Sequence, residues 1–222
     1  MPGRAAVRRA RGGSGGVRAT PALHPDRAAA AHPPRRAGRR SRTPPHSRLS
    51  RVVRLLVVRH AIAEDREAYA RSHRDDAARP LTSEGRRKME GVALGLRQLV
   101  PTIDLLAASP FRRALDTAEI IAQAYEGQRV ERVAELAPGA GVDRFLGWLA
   151  GLGPRPTVAV VGHEPDLSRI VCTLLADTNG PFLELRKGAA CLLEFPGAVG
   201  RGAATLDWFL GPKHLRRLAA GD

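Results

Sequence analysis

The sequence predicts one α/β domain in which helices cover both faces of a largely parallel sheet, giving an α/β/α sandwich of three layers. Two observations lead to this prediction. From residue 52 onward, short β-branched and aliphatic runs alternate with segments whose apolar residues recur at helical spacing. The runs at 52–58 and 157–161 are also almost continuously apolar, as expected of strands buried on both faces. With 222 residues, the chain is long enough for one well-filled core.

The first fifty residues differ in composition from the rest of the chain. They contain twelve arginines, no lysine and one acidic residue, Asp26, whereas the remaining residues carry 24 basic and 21 acidic side chains. The net charge of +14 therefore belongs mainly to residues 1–50. Because this segment has few large apolar residues, we predict a disordered basic tail at 1–50 and a folded domain at 51–222. An RNA-binding arm and a transit peptide are the other interpretations, but neither aromatic residues nor an amphipathic stripe supports them.

The first half of the domain begins with the strand at 52–58. The polar segment 61–80 that follows is interpreted as a long loop with room for a helical turn. Thr82 is a good N-cap for a helix that ends before Pro101. A strand at 104–108 leads to a second helix, with Pro110 at its first position. The inward positions predicted for this second helix are Ala114, Leu115, Ala118, Ile121, Ala122 and Tyr125.

The second half of the domain repeats the alternation. A third strand at 128–133 precedes a short helix that carries Phe145, Trp148 and Leu149. The strand at 157–161 is followed by a helix with apolar residues on one face, and strands at 190–195 and 204–209 complete the chain. The apolar face of the helix after the fourth strand consists of Leu167, Ile170, Val171, Leu174 and Leu175.

Composition and motifs exclude several classes of protein. No apolar run approaches the eighteen residues of a membrane span, and no apolar signal-peptide core lies near the start. Cys172 and Cys191 lie in apolar runs, so we expect buried thiols in a reducing, cytoplasmic compartment. The chain lacks a Gly-x-x-x-x-Gly-Lys nucleotide loop, a cysteine followed six residues later by arginine, and paired His/Cys spacing for zinc. We therefore expect no cofactor and no metal.

Four side chains suited to phosphate follow three of the predicted strands. Arg59 and His60 come directly after the first strand, Arg113 lies in the first turn after the second, and His163 follows the fourth. Because ligands bind at the carboxyl ends of strands in open α/β sheets, we expect these side chains to lie close together. Guanidinium groups bind phosphate oxygens in pairs, and an imidazole can attack phosphorus or donate a proton. The sequence thus predicts a phosphate site at this edge of the sheet.

The motifs that carry these residues resemble those of the histidine phosphatase superfamily, which has a phosphoglycerate-mutase-like fold. The resemblance covers about residues 52–218 and rests on the Arg59-His60 pair, Ser109-Pro-x-x-Arg113-Ala-x-x-Thr117 and Val161-Gly-His163. Arg79-Pro-Leu-Thr82 and the short chain most resemble the SixA-type protein-phosphohistidine phosphatases.

Both the chemistry of the residues and the resemblance suggest a role for each of them. His60 attacks phosphorus in line and becomes phosphorylated, which divides one difficult hydrolysis into two steps. Arg59 and Arg113 bind the equatorial oxygens, and His163, protonated in the complex, adds a further donor. Because these cations surround the phosphoryl group, no metal is required. Ser109 is expected to cap the helix that follows it, and a direct phosphate contact from Ser109 is left open.

The leaving group decides whether a further carboxylic acid is needed. Relatives that cleave phosphate esters use such an acid to protonate the departing alkoxide. Glu135 is placed like that acid, with an ordinary solvated loop glutamate as the alternative interpretation, and Glu164 is given less weight. A phosphohistidine substrate would make this acid less important, since imidazole leaves far more easily than an alkoxide.

The sequence therefore predicts a metal-independent phosphatase that works through phospho-His60 and acts on phosphohistidine in a partner protein, such as a phosphorelay carrier. One alternative is a small-molecule phosphomonoesterase with Glu135 as its general acid. Others are a non-catalytic module that binds phosphate or phosphoproteins, and an RNA-associated protein that acts through its basic tail. A mutase is disfavoured, because little chain is available for an insertion that encloses substrate. The oligomeric state is left open.

Overall fold

The computed structural model describes residues 52–72, 75–178 and 180–221. The tail predicted at 1–50 lies outside the described residues. The strands are β1 Val52–Arg59, β2 Leu105–Ala108, β3 Val130–Arg132, β4 Arg155–Gly162, β5 Ala190–Glu194 and β6 Thr205–Leu210. The helices are α1 Arg66–Ser72, α2 Ser83–Leu99, α3 Arg112–Ala124, α4 Val142–Gly151, α5 Asp166–Ala176 and α6 Pro212–Ala220. Single 3-10 turns occupy Asp76–Ala78 and Ala134–Leu136.

The six strands form one sheet in the order β3-β2-β4-β1-β5-β6. Strands β1 to β4 run parallel to one another, whereas β5 is antiparallel to both β1 and β6. Apolar residues of α2, α3 and α6 pack on one face of the sheet, and those of α4 and α5 pack on the other. The prediction of a largely parallel, three-layer α/β/α sandwich is therefore confirmed.

Strand β1 lies inside the sheet, between β4 and β5. Leu56 and Val58 face one hydrophobic cluster and Leu55 and Val57 face the other, and all four are fully buried. Arg54, the one charged residue in the run, donates a hydrogen bond of 2.9 Å to Thr157 Oγ1 on β4. This partner explains how the sheet accepts a guanidinium in a strand that is otherwise apolar.

Several local predictions are confirmed. Thr82 Oγ1 accepts a hydrogen bond of 2.9 Å from Gly85 N and caps α2, which ends before Pro101. The six inward positions predicted for the second helix are buried, and so are Cys172 and Cys191, which form no disulfide. Desolvation by burial raises the pKa of the Cys191 thiol to about 12, so this cysteine is a hydrophobic residue rather than a reactive one.

Two local predictions need correction, and one helix was missed. Helix α3 begins at Arg112 with Phe111 as its N-cap residue, so Pro110 lies before the helix rather than at its first position. The segment 61–80 holds the two-turn helix α1 and a 3-10 turn, which is more structure than the single helical turn considered from the sequence. Helix α6 was not predicted, because in only nine residues its periodicity rests on one fully buried side chain, Leu215.

Two glycines of α2 bring the backbone very close to neighbouring segments. A methyl group at Gly95 would overlap the carbonyl oxygen of Leu215 on α6, and one at Gly85 would overlap that of Ile62. The absence of a side chain is what permits these approaches. These close approaches hold α6 and the segment directly after His60 against α2.

One negative result concerns membranes: among the helices of the described residues, none combines the length and apolarity needed to cross a bilayer.

Candidate active site

The four phosphate-competent side chains predicted from separate motifs line a single cavity of about 560 Å³. The ring centroids of His60 and His163 lie 5.1 Å apart. Arg59 and Arg113 line the same cavity. The remaining lining residues are Glu64, Asp65, Arg66, Asp76, Arg79, Phe111, Pro138, Glu164 and Lys187. Within the described ranges, no group of three or more His, Cys, Asp or Glu side chains is arranged to hold a metal ion.

The His60 ring is held in the tautomer that a nucleophile requires. Its backbone N–H donates to Gly162 O on β4, and its Nδ1 lies 2.8 Å from Ala61 O. Because a carbonyl oxygen only accepts, Nδ1 carries the proton and Nε2 keeps its lone pair. Burial, together with the positive charges of Arg113 and Arg59, lowers the pKa of His60 to about 3. The imidazole is therefore neutral, and its Nε2 is available for attack at neutral pH.

The His163 ring is oriented by Ser109 and Phe111. Its Nε2 lies 2.8 Å from Ser109 Oγ, and its ring meets the Phe111 ring edge-on at 5.4 Å. Burial, with contributions from His60 and Arg113, lowers the pKa of His163 to about 2. His163 is thus neutral in the ligand-free arrangement. The prediction that His163 is protonated applies to the complex, where a bound phosphate dianion would stabilise the imidazolium. It stays a prediction.

Ser109 has a different role from the predicted helix cap. Its hydroxyl oxygen accepts a hydrogen bond of 3.3 Å from Phe111 N, one residue before α3, and contacts the His163 ring. Ser109 is fully buried at the end of β2, where its backbone N–H donates to Val161 O on β4. The prediction that Ser109 caps the helix was therefore wrong, and the side chain positions His163 instead.

Arg59 and Arg113 are each anchored by a backbone carbonyl, and each has a further donor without a partner in the part of the chain that the structure describes. Arg59 Nη1 donates a hydrogen bond of 2.5 Å to Leu185 O, and Arg113 Nη1 donates one of 3.0 Å to Asp76 O. The Nε atoms of both guanidiniums are buried and have no hydrogen-bond partner among the described residues. Buried donors without an acceptor are rare, and these two belong to guanidiniums that line the cavity, so the pair of cations favours an anionic ligand there.

Asp76 is a residue of this site that sequence reasoning missed. Its carboxylate lies 2.8 Å from Arg79 Nε and 3.2 Å from Arg113 Nη1. Partial desolvation opposes its ionisation, but the hydrogen bond from Arg79 and the charge of Arg113 hold the pKa of Asp76 below its usual value. Asp76 is therefore an ionised anchor for the arginines. The sequence feature that could have identified Asp76 is its position three residues before Arg79, but it lies in a segment that was interpreted as a loop.

The two candidate general acids have different positions. Glu135 lies on the 3-10 turn after β3, is absent from the cavity lining, and lies 3.8 Å from Arg144 Nη2. Glu164 lines the cavity, but its Oε1 accepts a hydrogen bond of 3.0 Å from Leu185 N. The structure thus brings the two histidines and the two arginines together around one cavity. Ser109 contacts His163 without lining the cavity, so its phosphate contact stays a prediction, and Glu135 lies outside the lining. The general-acid role of Glu135 stays a prediction.

The two buried histidines should make the protein less stable in acid. Both have folded-state pKa values far below the ordinary 6.5, so below pH 6.5 the unfolded chain binds protons that the folded chain excludes. Stability is then fully present above pH 6.5 and falls as the pH drops toward 3, by about 1.4 kcal/mol per histidine for each pH unit. Urea unfolding at several pH values between 7 and 4.5 measures this slope.

The His60→Gln/His163→Gln variant is the control for this slope. Because neither glutamine titrates, we expect a much flatter dependence of unfolding free energy on pH over the same range. An unchanged slope would mean that other groups cause the acid sensitivity.

The chain is similar to several known proteins. The family model described as histidine phosphatase superfamily (branch 1) matches residues 55–140. An uncharacterized protein from Picosynechococcus sp. is 36% identical over 167 residues, which are 73% of this chain and 99% of that protein.

The solved structure of the protein histidine phosphatase SixA complexed with tungstate has a TM-score of 0.60 at 24% identity, and the match covers 73% of this chain and 99% of the SixA chain. The structure of the alpha-ribazole phosphatase from Shigella flexneri has a TM-score of 0.57 at 16% identity, and the match covers 72% of this chain and 96% of that one. The similarity to these two structures is evidence for the fold.

Proposed function

The chain belongs to the histidine phosphatase superfamily, and on that basis we propose that it is a metal-independent phosphatase acting on phosphohistidine in a partner protein. One observation carries the proposal: a neutral His60, with its Nε2 lone pair free, shares a cavity with two guanidiniums whose buried Nε atoms lack acceptors. This arrangement supports attack on a bound phosphoryl group.

In the first step, the lone pair of His60 Nε2 attacks phosphorus on the side opposite the bond to the substrate nitrogen. A P–N bond to His60 forms while the substrate P–N bond breaks and its electron pair returns to the substrate nitrogen. Solvent water supplies one proton to the other ring nitrogen of the substrate, so the imidazole leaves as a neutral ring. Arg59 and Arg113 stabilise the oxygens of the transferring group. The hydrogen bond from His60 Nδ1 to Ala61 O favours the positive charge that the ring acquires.

In the second step, a water oxygen attacks the phosphorus of phospho-His60. The P–Nε2 bond breaks, the electron pair returns to Nε2, and inorganic phosphate is released. The neutral ring is restored with its proton on Nδ1. Both steps use the same cations, so one cavity serves both.

The choice of phosphohistidine as substrate rests on the carboxylates. An ester substrate needs a carboxylic acid near the leaving oxygen, and the predicted acid, Glu135, lies outside the cavity lining. Of the carboxylates that do line the cavity, Asp76 is held ionised, and Asp65 and Glu164 accept hydrogen bonds from Ala68 N and Leu185 N. A phosphohistidine substrate has a leaving group that does not depend on such an acid. The fold shared with SixA, which is named a protein histidine phosphatase, agrees with this choice.

A paired assay tests the proposal. The full chain is given a phosphohistidine peptide and p-nitrophenyl phosphate, and phosphate release is measured with and without EDTA. We expect a higher kcat/KM for the peptide, no effect of EDTA, and unchanged peptide turnover in Glu135→Gln.

The opposite substrate preference, with a loss of about 10²-fold in Glu135→Gln, would instead indicate a small-molecule phosphomonoesterase that uses Glu135 as its acid. Phosphate binding without turnover of either substrate would indicate a non-catalytic module.

A further inference from the structure

A second, smaller cavity lies beside the active site, between α2, the turn at 187–188 and the start of α6. Its volume is about 170 Å³, and Met89, Val92 and Pro212 contribute apolar surface to it. Met89 and Val92 are themselves almost fully buried, so the cavity has a fixed hydrophobic floor. A dry apolar cavity of about 150 Å³ accepts a benzene-sized group, so this one can hold a single apolar side chain.

The rim of the second cavity is basic. All of its described ionisable lining residues are cationic: Lys88, Lys187, Lys213 and Arg216. Lys88 forms an ion pair with Glu84 on the same helix, but no carboxylate of the described residues pairs with the other three. Hence the rim complements an acidic partner and opposes a basic one.

Packing of α6 on α2 places two of these cations. The aliphatic stem of Arg216 lies over Gly91, where an added methyl group would meet its Cγ at 3.2 Å. Lys213 lies in the first turn of α6, which has no acidic residue and whose N-cap residue, Gly211, makes no side-chain cap. The positive end of the helix therefore adds to the lysine charge rather than being neutralised.

The second cavity adjoins the active site. Lys187 lines both cavities, and Ala61, which lines the second, directly follows His60. A protein surface placed over the second cavity would thus hold a phosphorylated side chain near His60.

We infer that this cavity docks the phosphorylated partner protein: one apolar side chain of an acidic surface segment enters the cavity, and the carboxylates around it pair with Lys187, Lys213 and Arg216. The inference rests on the proposed function, because it concerns how a protein substrate of that function is recognised. The apolar side chain anchors the complex, and the exposed ion pairs guide association and select the partner. Small phosphohistidine compounds that do not reach the cavity gain nothing from it.

Designed peptides test the inference. Each contains one phosphohistidine, formed with phosphoramidate, and a Gly/Ser linker to a five-residue segment: a leucine flanked by glutamates, a leucine flanked by lysines, or an alanine flanked by glutamates. A fourth peptide has only the linker. For the full chain we expect kcat/KM to be about tenfold higher for the Glu-Leu peptide than for the other three, since binding in the cavity raises the effective concentration at His60. This preference should shrink as salt is added.

Two double variants test whether the cations of the second cavity cause the preference for the Glu-Leu peptide. Lys213→Glu/Arg216→Glu should lose the preference for the Glu-Leu peptide while keeping its turnover of the linker peptide. Arg87→Glu/Arg217→Glu makes the same change of charge on exposed positions of α2 and α6 that line neither cavity, and it should keep the preference. Turnover of the linker peptide also shows that each variant is folded.

Failure of this inference and failure of the proposed function give different results. Equal turnover of all four peptides by the unaltered chain, or a preference that survives in Lys213→Glu/Arg216→Glu, overturns the docking site but leaves the phosphohistidine activity intact. Hydrolysis of p-nitrophenyl phosphate with no hydrolysis of any phosphohistidine peptide overturns both.

Discussion

Replacing His60 by alanine is expected to lower kcat/KM by about 10⁴-fold or more on any substrate that the protein hydrolyses, because the replacement removes the atom that bonds to phosphorus. The residual arginines and His163 could still bind phosphate, so the loss should appear in kcat rather than in binding. Phosphate release under single-turnover conditions measures it. Acid-labile radioactive phosphate trapped on the protein after brief exposure to labelled substrate reports the intermediate directly, and His60→Ala should trap none.

His214→Ala is the matched control for this prediction. His214 is exposed on α6 and lines neither of the two cavities described above, so its replacement should change kcat/KM little. If His60→Ala keeps substantial turnover, or if label is still trapped, another residue is the nucleophile.

Replacing Arg113 by alanine is expected to lower kcat by about 10³-fold. Its guanidinium lines the cavity, and removing one preorganised donor from a transferring group typically costs 10²- to 10³-fold. Arg113→Lys keeps the charge but loses the planar fork, so it should recover only part of the activity. Steady-state kinetics of the three proteins give the comparison.

The neighbouring arginine offers a control for Arg113 on the same helix. Arg112 is exposed, pairs with Asp116 and does not line the cavity, so Arg112→Ala should retain nearly all activity. Asp76→Asn removes the carboxylate charge that anchors the Arg113 guanidinium and keeps the guanidinium itself. This variant therefore separates the anchoring of Arg113 from its contact with phosphate. A loss in Arg112→Ala as large as in Arg113→Ala would point to damage of the helix rather than loss of a phosphate donor.

The sequence predicted those parts of the site that adjoin buried strands. Arg59, His60 and His163 directly follow apolar runs, so locating the strands also located the residues, and Arg113 followed from the helix after β2. These positions are tied to the sheet edge by chain geometry alone. The largely parallel, three-layer arrangement followed from the same alternation.

Other parts of the site depend on where loops fold, which no local pattern determines. Asp76 and Lys187 reach the cavity from the connections before α2 and before β5, so their place depends on packing between distant segments. Ser109 looked like a helix cap because serine before a helix usually is one, but here the His163 ring is within hydrogen-bond distance of its hydroxyl. A tertiary partner outweighed the local preference.

The position of β1 between β4 and β5 has a consequence for the order in which the protein can fold. β1 and β2 come first along the chain, yet β4 separates them in the sheet, and Arg54 on β1 meets its hydrogen-bond partner Thr157 only 103 positions later. Such distant pairings form slowly, since a long loop must close before they contribute. A ribosome-bound chain that has not yet emerged through β4 has no strand to pair with β1 or to bring His60 toward Arg113. The site can therefore assemble only after the chain has been synthesised past β4 and His163.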